Sequence, residues 1–195
     1  MQEFNFVTDG SVVYRLAGND WYAVMEDEDK VMLVDTDCKV DDEELKSPWS
    51  DGNCRSEDGE NGQAVLDYTN NIADKYFNDI KHAIIPTTVE AGTCKLANAY
   101  MWSMSYEEFD GNKTIGGKIV ENTNSFVWTR TFSRVGSSND GRYAWRAYSI
   151  SGDLSYSGNI SSVYRVAPAF NLKKSSIDYI TEDGEIVLKP EDNVN

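Results

Sequence analysis

The chain has 195 residues, enough for one domain with a sizeable core, and its 40% hydrophobic and 12% aromatic content excludes a disordered chain. A formal net charge of -15 argues against general nucleic-acid binding, which needs a dominant basic face. No run of about 18 apolar residues could insert in a membrane as a helix, and MQEFNFVTDG lacks the basic and apolar regions of a signal peptide.

FNFVTDGSVVYRL alternates apolar residues around Asp9-Gly10, which predicts a tight hairpin. WYAVMEDEDKVMLVD predicts a second, turning between Glu26 and Lys30. DTDCKVDDEELKSPWSDGNCRSEDGENG follows. From Glu26 to Glu60 there are 14 acidic residues against 4 basic ones, so this segment reads as a long solvated excursion. From Gln63 the period becomes helical: Val65, Tyr68, Ile72, Tyr76, Phe77 and Ile80 share a face, and Pro86 closes the segment. Ser105-Tyr-Glu-Glu108 is a capping box, predicting a short helix that ends near Asp110-Gly111.

From Phe126 onward only strands and loops are predicted. In RYAWRAYSISGDLSYSGNISSVYRVAPAF (142–170), Ala144, Ala147 and Ile150 mark one core-facing edge. Val163, Val166, Ala167 and Phe170 mark the other, with Ser, Tyr, Gly and Asn between them. IDYITEDGEIVL predicts a C-terminal hairpin over 177–188, centred on Asp183-Gly184. There are no repeats and no low-complexity linker. The reading is one α+β domain spanning 1–195, built from antiparallel strands and hairpins with one long and one short helix.

Few groups suggest chemistry. His82, the only histidine, falls at the end of the long helix, where it would cap carbonyls and favour the dipole. No G-x-S-x-G or H-E-x-x-H occurs, and Gly116-Gly117 lacks the spacing and lysine of a phosphate loop. Asp35-Thr-Asp37-Cys-Lys39-Val-Asp41 opens like a calcium loop but fails at Lys39, Val40 and Lys46. Cys38, Cys54 and Cys94 fit neither a disulfide framework nor a zinc site; one bridge or three thiols remain open. Asn112-Lys-Thr114 and Asn159-Ile-Ser161 are sequons that matter only in a eukaryotic secretory pathway. The expectation is no enzyme, no cofactor and no metal.

The polar stretch has the composition of an antibody paratope, in which Tyr and Trp give contact area and small residues give adaptable hydrogen bonds. From Thr129 to Lys174 there are 7 basic residues against 2 acidic ones, so this part also differs in charge from the rest. The candidate ligand-binding residues, within a display region of about 134–164, are Arg134, Ser138, Asn139, Arg142, Tyr143, Trp145, Arg146, Tyr148, Ser155, Tyr156, Asn159 and Tyr164.

FVWTRTFS, AYSISGDLSYSGN and YRVAPAFNLKKSSI, in that order, resemble the C-terminal signature of a domain-of-unknown-function family of Gram-positive bacteria and their phages. Upstream, YRLAGNDWYAVMEDEDKVMLVD resembles its opening hairpins and KYFNDIKHAIIPT its helix and following strand. YMWSMSYEEF resembles its Leu-Ser-x-x-Glu element, and the likeness covers about residues 12–178. That family is similar to the C-type-lectin-like fold of formylglycine-generating enzymes and of retroelement-diversified variable proteins, phage tropism determinants among them. The resemblance implies a C-type-lectin-like fold with a display surface in its last part. Two departures stand out. Arg165-Val166-Ala167-Pro168 occupies the place of Gly-Val-Arg-Pro, and no cysteine follows Cys94, which removes the chemistry of the oxidase.

The functional expectation is a non-enzymatic receptor-binding or adhesive module of a phage tail or bacterial surface, with a homo-oligomer as a further expectation. Its partner would be a protein or glycan receptor, with no nucleic acid and no membrane insertion. The alternative is a structural virion or cell-envelope domain without a specific ligand.

Overall fold

The computed structural model describes residues 4–50, 62–132 and 143–191. The chain opens with β1 (Tyr14–Leu16), β2 (Asn19–Glu26) and β3 (Lys30–Asp35), followed by β4 (Lys39–Val40), β5 (Glu43–Glu44) and β6 (Lys46–Pro48). Helix α1 (Gln63–Tyr76) and a 3-10 turn (Asn78–Ala83) lead to β7 (Ile84–Ile85), β8 (Thr87–Ala91), β9 (Cys94–Ala99) and β10 (Trp102–Ser103). Two helices, α2 (Tyr106–Asp110) and α3 (Lys113–Thr123), precede β11 (Val127–Phe132), β12 (Tyr143–Ala147), β13 (Leu154–Asn159) and β14 (Val163–Arg165). The chain ends with β15 (Pro168–Lys173), β16 (Ile177–Ile180) and β17 (Ile186–Leu188). This is a mixed α+β architecture with mostly antiparallel strands; the β11–β14 pair is parallel.

The first sheet runs β1-β2-β3-β15-β10, with β7 also paired to β15. Successive strand residues point to opposite faces, and here both faces are covered. Trp21, Ala23, Val31, Leu33, Phe170 and Leu172 enter one core cluster. Their neighbours Tyr22, Val24, Met32, Val34 and Ala169 enter the other. WYAV and VMLV are therefore continuous apolar runs because neither face meets water. Helix α1 serves both clusters: Val65 and Leu66 join one, Ile72 and Ala73 the other, and Tyr68 touches both. The second sheet, β13-β12-β11-β14-β6, contributes Val127, Trp128, Ala144 and Ala147 to the cluster that also holds Val65 and Leu66 of α1 and Ile115 and Ile119 of α3.

The β2–β3 hairpin, α1, the capped α2 and the β16–β17 hairpin form where the sequence places them. The Asp9-Gly10 hairpin does not. That pair makes a bend, with Ser11 donating to Asp9 Oδ1 at 2.8 Å and Lys118 of α3 donating to the Gly10 carbonyl. β1 instead pairs with β2 through Ala17 and Gly18, both at positive φ (51° and 77°), a geometry suited to a two-residue hairpin turn. Phe4 and Phe6 are buried, and Phe6 stacks on Tyr14 with ring centroids 4.9 Å apart.

Two further expectations need correction. The acidic segment is not wholly solvated: β6 pairs with β14, and Leu45 and Trp49 are fully buried. Trp49 Nε1 donates to Thr129 O at 2.9 Å, so an indole from this segment seals the second sheet. The helix count is also larger than one long and one short, because α3 forms across Gly116-Gly117. Each glycine costs a helix about 1 kcal/mol relative to alanine, which hides the helix in the sequence. Packing accounts for them: a Cβ on Gly117 would lie 2.1 Å from Ile150 O, and one on Gly116 would lie 2.9 Å from Phe109 Cδ1. His82 sits in the 3-10 turn that follows α1, with Nδ1 3.1 Å from Asp79 O.

Candidate recognition surface

The second sheet has a filled face and a face of mixed chemistry. Register fixes which residue goes where. Val127 pairs with Ala147 and Ala147 with Leu154, and these side chains point at the core. Trp128 pairs with Arg146 and Arg146 with Ser155, which puts these three on the other face. The β12–β13 pairing is irregular between Ala144 and Arg146, with the extra residue on β13, and Ala144 and Ala147 are both fully buried although three positions separate them.

On the outer face, rings and a guanidinium form a layered cluster. Tyr164 lies on the fully buried Trp128, with centroids 4.6 Å apart, and beside Phe126 at 5.3 Å. The Arg146 guanidinium carbon stands 3.8 Å from the Phe126 ring centroid and 4.9 Å from that of Tyr164. Such contacts are worth about 0.5–1 kcal/mol at exposed sites. They also hold a long side chain in one place. Trp145 packs on Tyr106 of α2 at 4.5 Å. Trp128 Nε1 donates to Ser47 O at 3.0 Å, tying the cluster to β6.

Between β12 and β13 the chain turns through 148–153, and its own side chains lock the turn. Tyr148 N donates to Asp153 O at 3.2 Å, and Gly152 N to Ser149 O at 2.9 Å. Asp153 N donates to Ser149 Oγ at 3.1 Å, and both Ser149 and Ser151 hydroxyls donate to Asp153 Oδ2. Those hydroxyls hold the Asp153 carboxyl below its usual range. The backbone is docked as well. A Cβ on Gly152 would fall 2.0 Å from Lys113 O, so only glycine, here at φ 76°, lets the turn meet the start of α3.

The sequence-derived residues sort as follows. Arg134, Ser138, Asn139 and Arg142 lie outside the described residues, as does the Tyr156 side chain. Tyr148 is exposed, and Tyr143, Trp145, Arg146, Ser155 and Tyr164 are half-buried. Arg146, Trp145 and Tyr164 are drawn into the ring cluster and its α2 neighbour. Asn159 is exposed and caps the next turn, its Oδ1 accepting from Ser161 N at 3.0 Å and Ser161 Oγ at 2.8 Å. Arg165 donates to Glu44 and so binds β14 to the β4–β5 hairpin.

Ile150 and Val163 were expected to face the core, and both are exposed, at 72% and 56%. β12 ends at Ala147, so Ile150 falls in the turn, where strand alternation no longer decides direction. Val163 is the first residue of β14, at the end where the sheet stops. Phe126, 37% exposed beneath Arg146, belongs to the surface and was missed by the sequence reading. Its apolar type at a strand start was indistinguishable from a core position.

The surroundings bear on chemistry. Among the described residues, no three His, Cys, Asp or Glu side chains cluster to hold a metal, and Cys38 is a buried free thiol. No described helix is long and apolar enough to cross a membrane. Asp35, from the failed calcium loop, is buried and accepts backbone N–H groups from Asp37, Cys38 and Lys39. Burial and then the charge of Asp37 push its carboxyl up to about 8. Comparison with family models, curated proteins and solved structures returns no match.

Proposed function

We propose that this chain is a non-enzymatic recognition domain of C-type-lectin-like architecture, spanning 1–195, that binds a protein or glycan receptor on a cell surface. Its place is a phage tail or a bacterial surface, and its display region is the stretch of about 134–164, diversified between isolates. The observation that carries the reading is the locked turn at 148–153. Tyr148 and Ile150 are exposed and bury little, while six hydrogen bonds and two glycine contacts fix the backbone beneath them. Surface aromatic and apolar side chains held in place before binding lose little entropy on contact, as interface anchors require.

Two arrangements agree with the architecture. Ser105 and Glu108 come from one motif of the resemblance and Arg130 from another, and they join in one network. Ser105 N donates to Glu108 Oε2, and Arg130 forms a two-pronged bond to the same carboxylate. The start and end of the chain also meet, Arg15 N donating to Gly184 O at 3.0 Å.

The test is binding of fluorescently labelled domain to a panel of intact bacterial strains. One strain or more should bind the parent, and Tyr148→Ala with Ile150→Ser should lose at least tenfold in affinity without a change in melting temperature. Equal binding by parent and double variant on every positive strain, or no positive strain, contradicts the reading and favours a structural envelope or virion domain.

A further inference from the structure

An open sheet ends in two edge strands whose outward N–H and C=O groups lack a ladder partner, and native proteins guard such edges. In the first sheet one edge, β1, meets the C-terminal hairpin: Arg15 N donates to Gly184 O, and Arg15 bridges to Glu185. The other, β10, is two residues long. In the second sheet the edge strand β6 carries Lys46 and Pro48, two residue types that discourage further pairing. The opposite edge is β13, six residues that pair only with β12.

Register fixes where the β13 backbone points. Tyr148 N donates to Asp153 O, so these two residues form a hydrogen-bonded pair at the start of the β12–β13 hairpin. The next pair, Ala147 with Leu154, is then of the other kind, in which N–H and C=O point away from the partner strand. Among the described residues no hydrogen bond reaches the Leu154 N–H or C=O from the outer side. The Leu154 side chain packs against the core, and the turn before it is docked at Lys113 O, so the strand is held in this orientation. The extra residue on β13, between Ser155 and Gly158, interrupts the row, which leaves room for a short partner strand beginning at Leu154.

Outward main-chain donors and acceptors are matched by another extended main chain, whose own groups recur roughly every 7 Å along one edge. From Leu154 to Tyr164 there is no charged residue and no proline, so β13 lacks the side chains that keep such a chain away. A second copy would bring one charge of -15 against another, a repulsion that favours the monomer. We infer that β13 takes up an extended segment of a protein partner as an added strand, main chain to main chain. Resting on the recognition reading above, this narrows its partner to a protein rather than a glycan.

The test selects binders to the full chain from a library of seven-residue peptides without proline. The best binder, made synthetically, should slow amide exchange at Leu154 at least tenfold. Methylation of its backbone nitrogens one at a time should weaken binding at least tenfold at alternate positions and little between them. A library that yields no binder overturns the inference, as does binding that leaves Leu154 exchange unchanged or shows no alternation. So does a Leu154 amide that is slow in the free chain and speeds up on dilution, which would make a second copy the occupant. The two readings fail separately: strains that bind the parent without any peptide binder would leave the recognition reading and remove this one. A peptide binder without any positive strain would do the reverse.

Discussion

In the first sheet, β2, β3 and β15 send alternate side chains into apolar clusters on both faces, and almost every residue has a packing duty. In the second, Val127, Ala144, Ala147 and Leu154 pack one face into the core, and on the other face the buried residue is Trp128. The other face carries Arg146, Tyr164 and Phe126 in partial contact with water, and a turn whose exposed side chains contribute little to the core. A sheet buried twice constrains identity at every position. A sheet with one half-exposed face, on a backbone fixed by glycine contacts and side-chain hydrogen bonds, separates the residues that hold the fold from those left at the surface.

The contrast implies a graded series of stability effects. Trp21 is fully buried, 4.9 Å from the Phe170 ring and 5.5 Å from Phe77, with Nε1 donating to Leu16 O. Trp21→Ala should cost about 3–5 kcal/mol, which calorimetry should read as a melting temperature lower by about 10 °C or more. A loss below about 1 kcal/mol would mean the first sheet is not the rigid element. Glu108→Ala removes the capping-box acceptor and leaves Arg130 uncompensated with its side chain only 15% exposed. Denaturant unfolding should show a loss of about 2–3 kcal/mol, less for Glu108→Gln.

Gly117→Ala drives a methyl into Ile150 O. It should cost about 1–3 kcal/mol through overpacking and undock the 148–153 turn. Amide exchange at Gly152 and Asp153 should accelerate while β3 amides keep their order of protection.

Asp35 gives a pH signature belonging to the scaffold. Its folded carboxyl titrates near 8, above about 3.9 for an unfolded aspartate. Between those values the folded state holds a proton that the unfolded state has released. The stabilising contribution of this group is thus complete below about pH 4 and is lost as pH rises toward 8. Asp35→Asn keeps the acceptor for the three backbone N–H groups but has no proton to lose. The melting temperature of the parent relative to this variant should fall between pH 5 and pH 8; a rising difference would show the carboxylate to be the favoured form.

Sequence reading recovered the elements that carry local signals: the Glu26–Lys30 turn, the helical period after Gln63, the Ser105–Glu108 box and the Asp183-Gly184 hairpin. It failed where a tertiary neighbour overrides the local signal. No helix was predicted across Gly116-Gly117, where Ile150 O and Phe109 press against the two glycines, and Asp9-Gly10 reads as a hairpin until α3 captures the bend. Leu45 and Trp49 are hidden in an acidic segment because β6, the strand between them, finds its partner in β14, more than a hundred residues later. The candidate surface was half legible. Composition indicated the segment, but the direction of Ile150, Val163 and Phe126 depends on where strands stop, and periodicity does not record that.

The smallest effects belong to the exposed residues. Tyr148→Ala and Ile150→Ser should each move stability by no more than about 0.5 kcal/mol, as equilibrium unfolding can resolve. The most direct measurement extends this to the whole stretch: saturation mutagenesis of 143–166, with every variant scored for protease-resistant folded protein. Tyr148, Ile150, Ser155, Asn159 and Val163 should accept nearly all substitutions, while Ala144, Ala147, Gly152 and Val166 should accept few. Uniform intolerance along the stretch would make it core, uniform tolerance would leave nothing to hold the surface in shape, and either result would contradict the division between a fixed scaffold and an offered face.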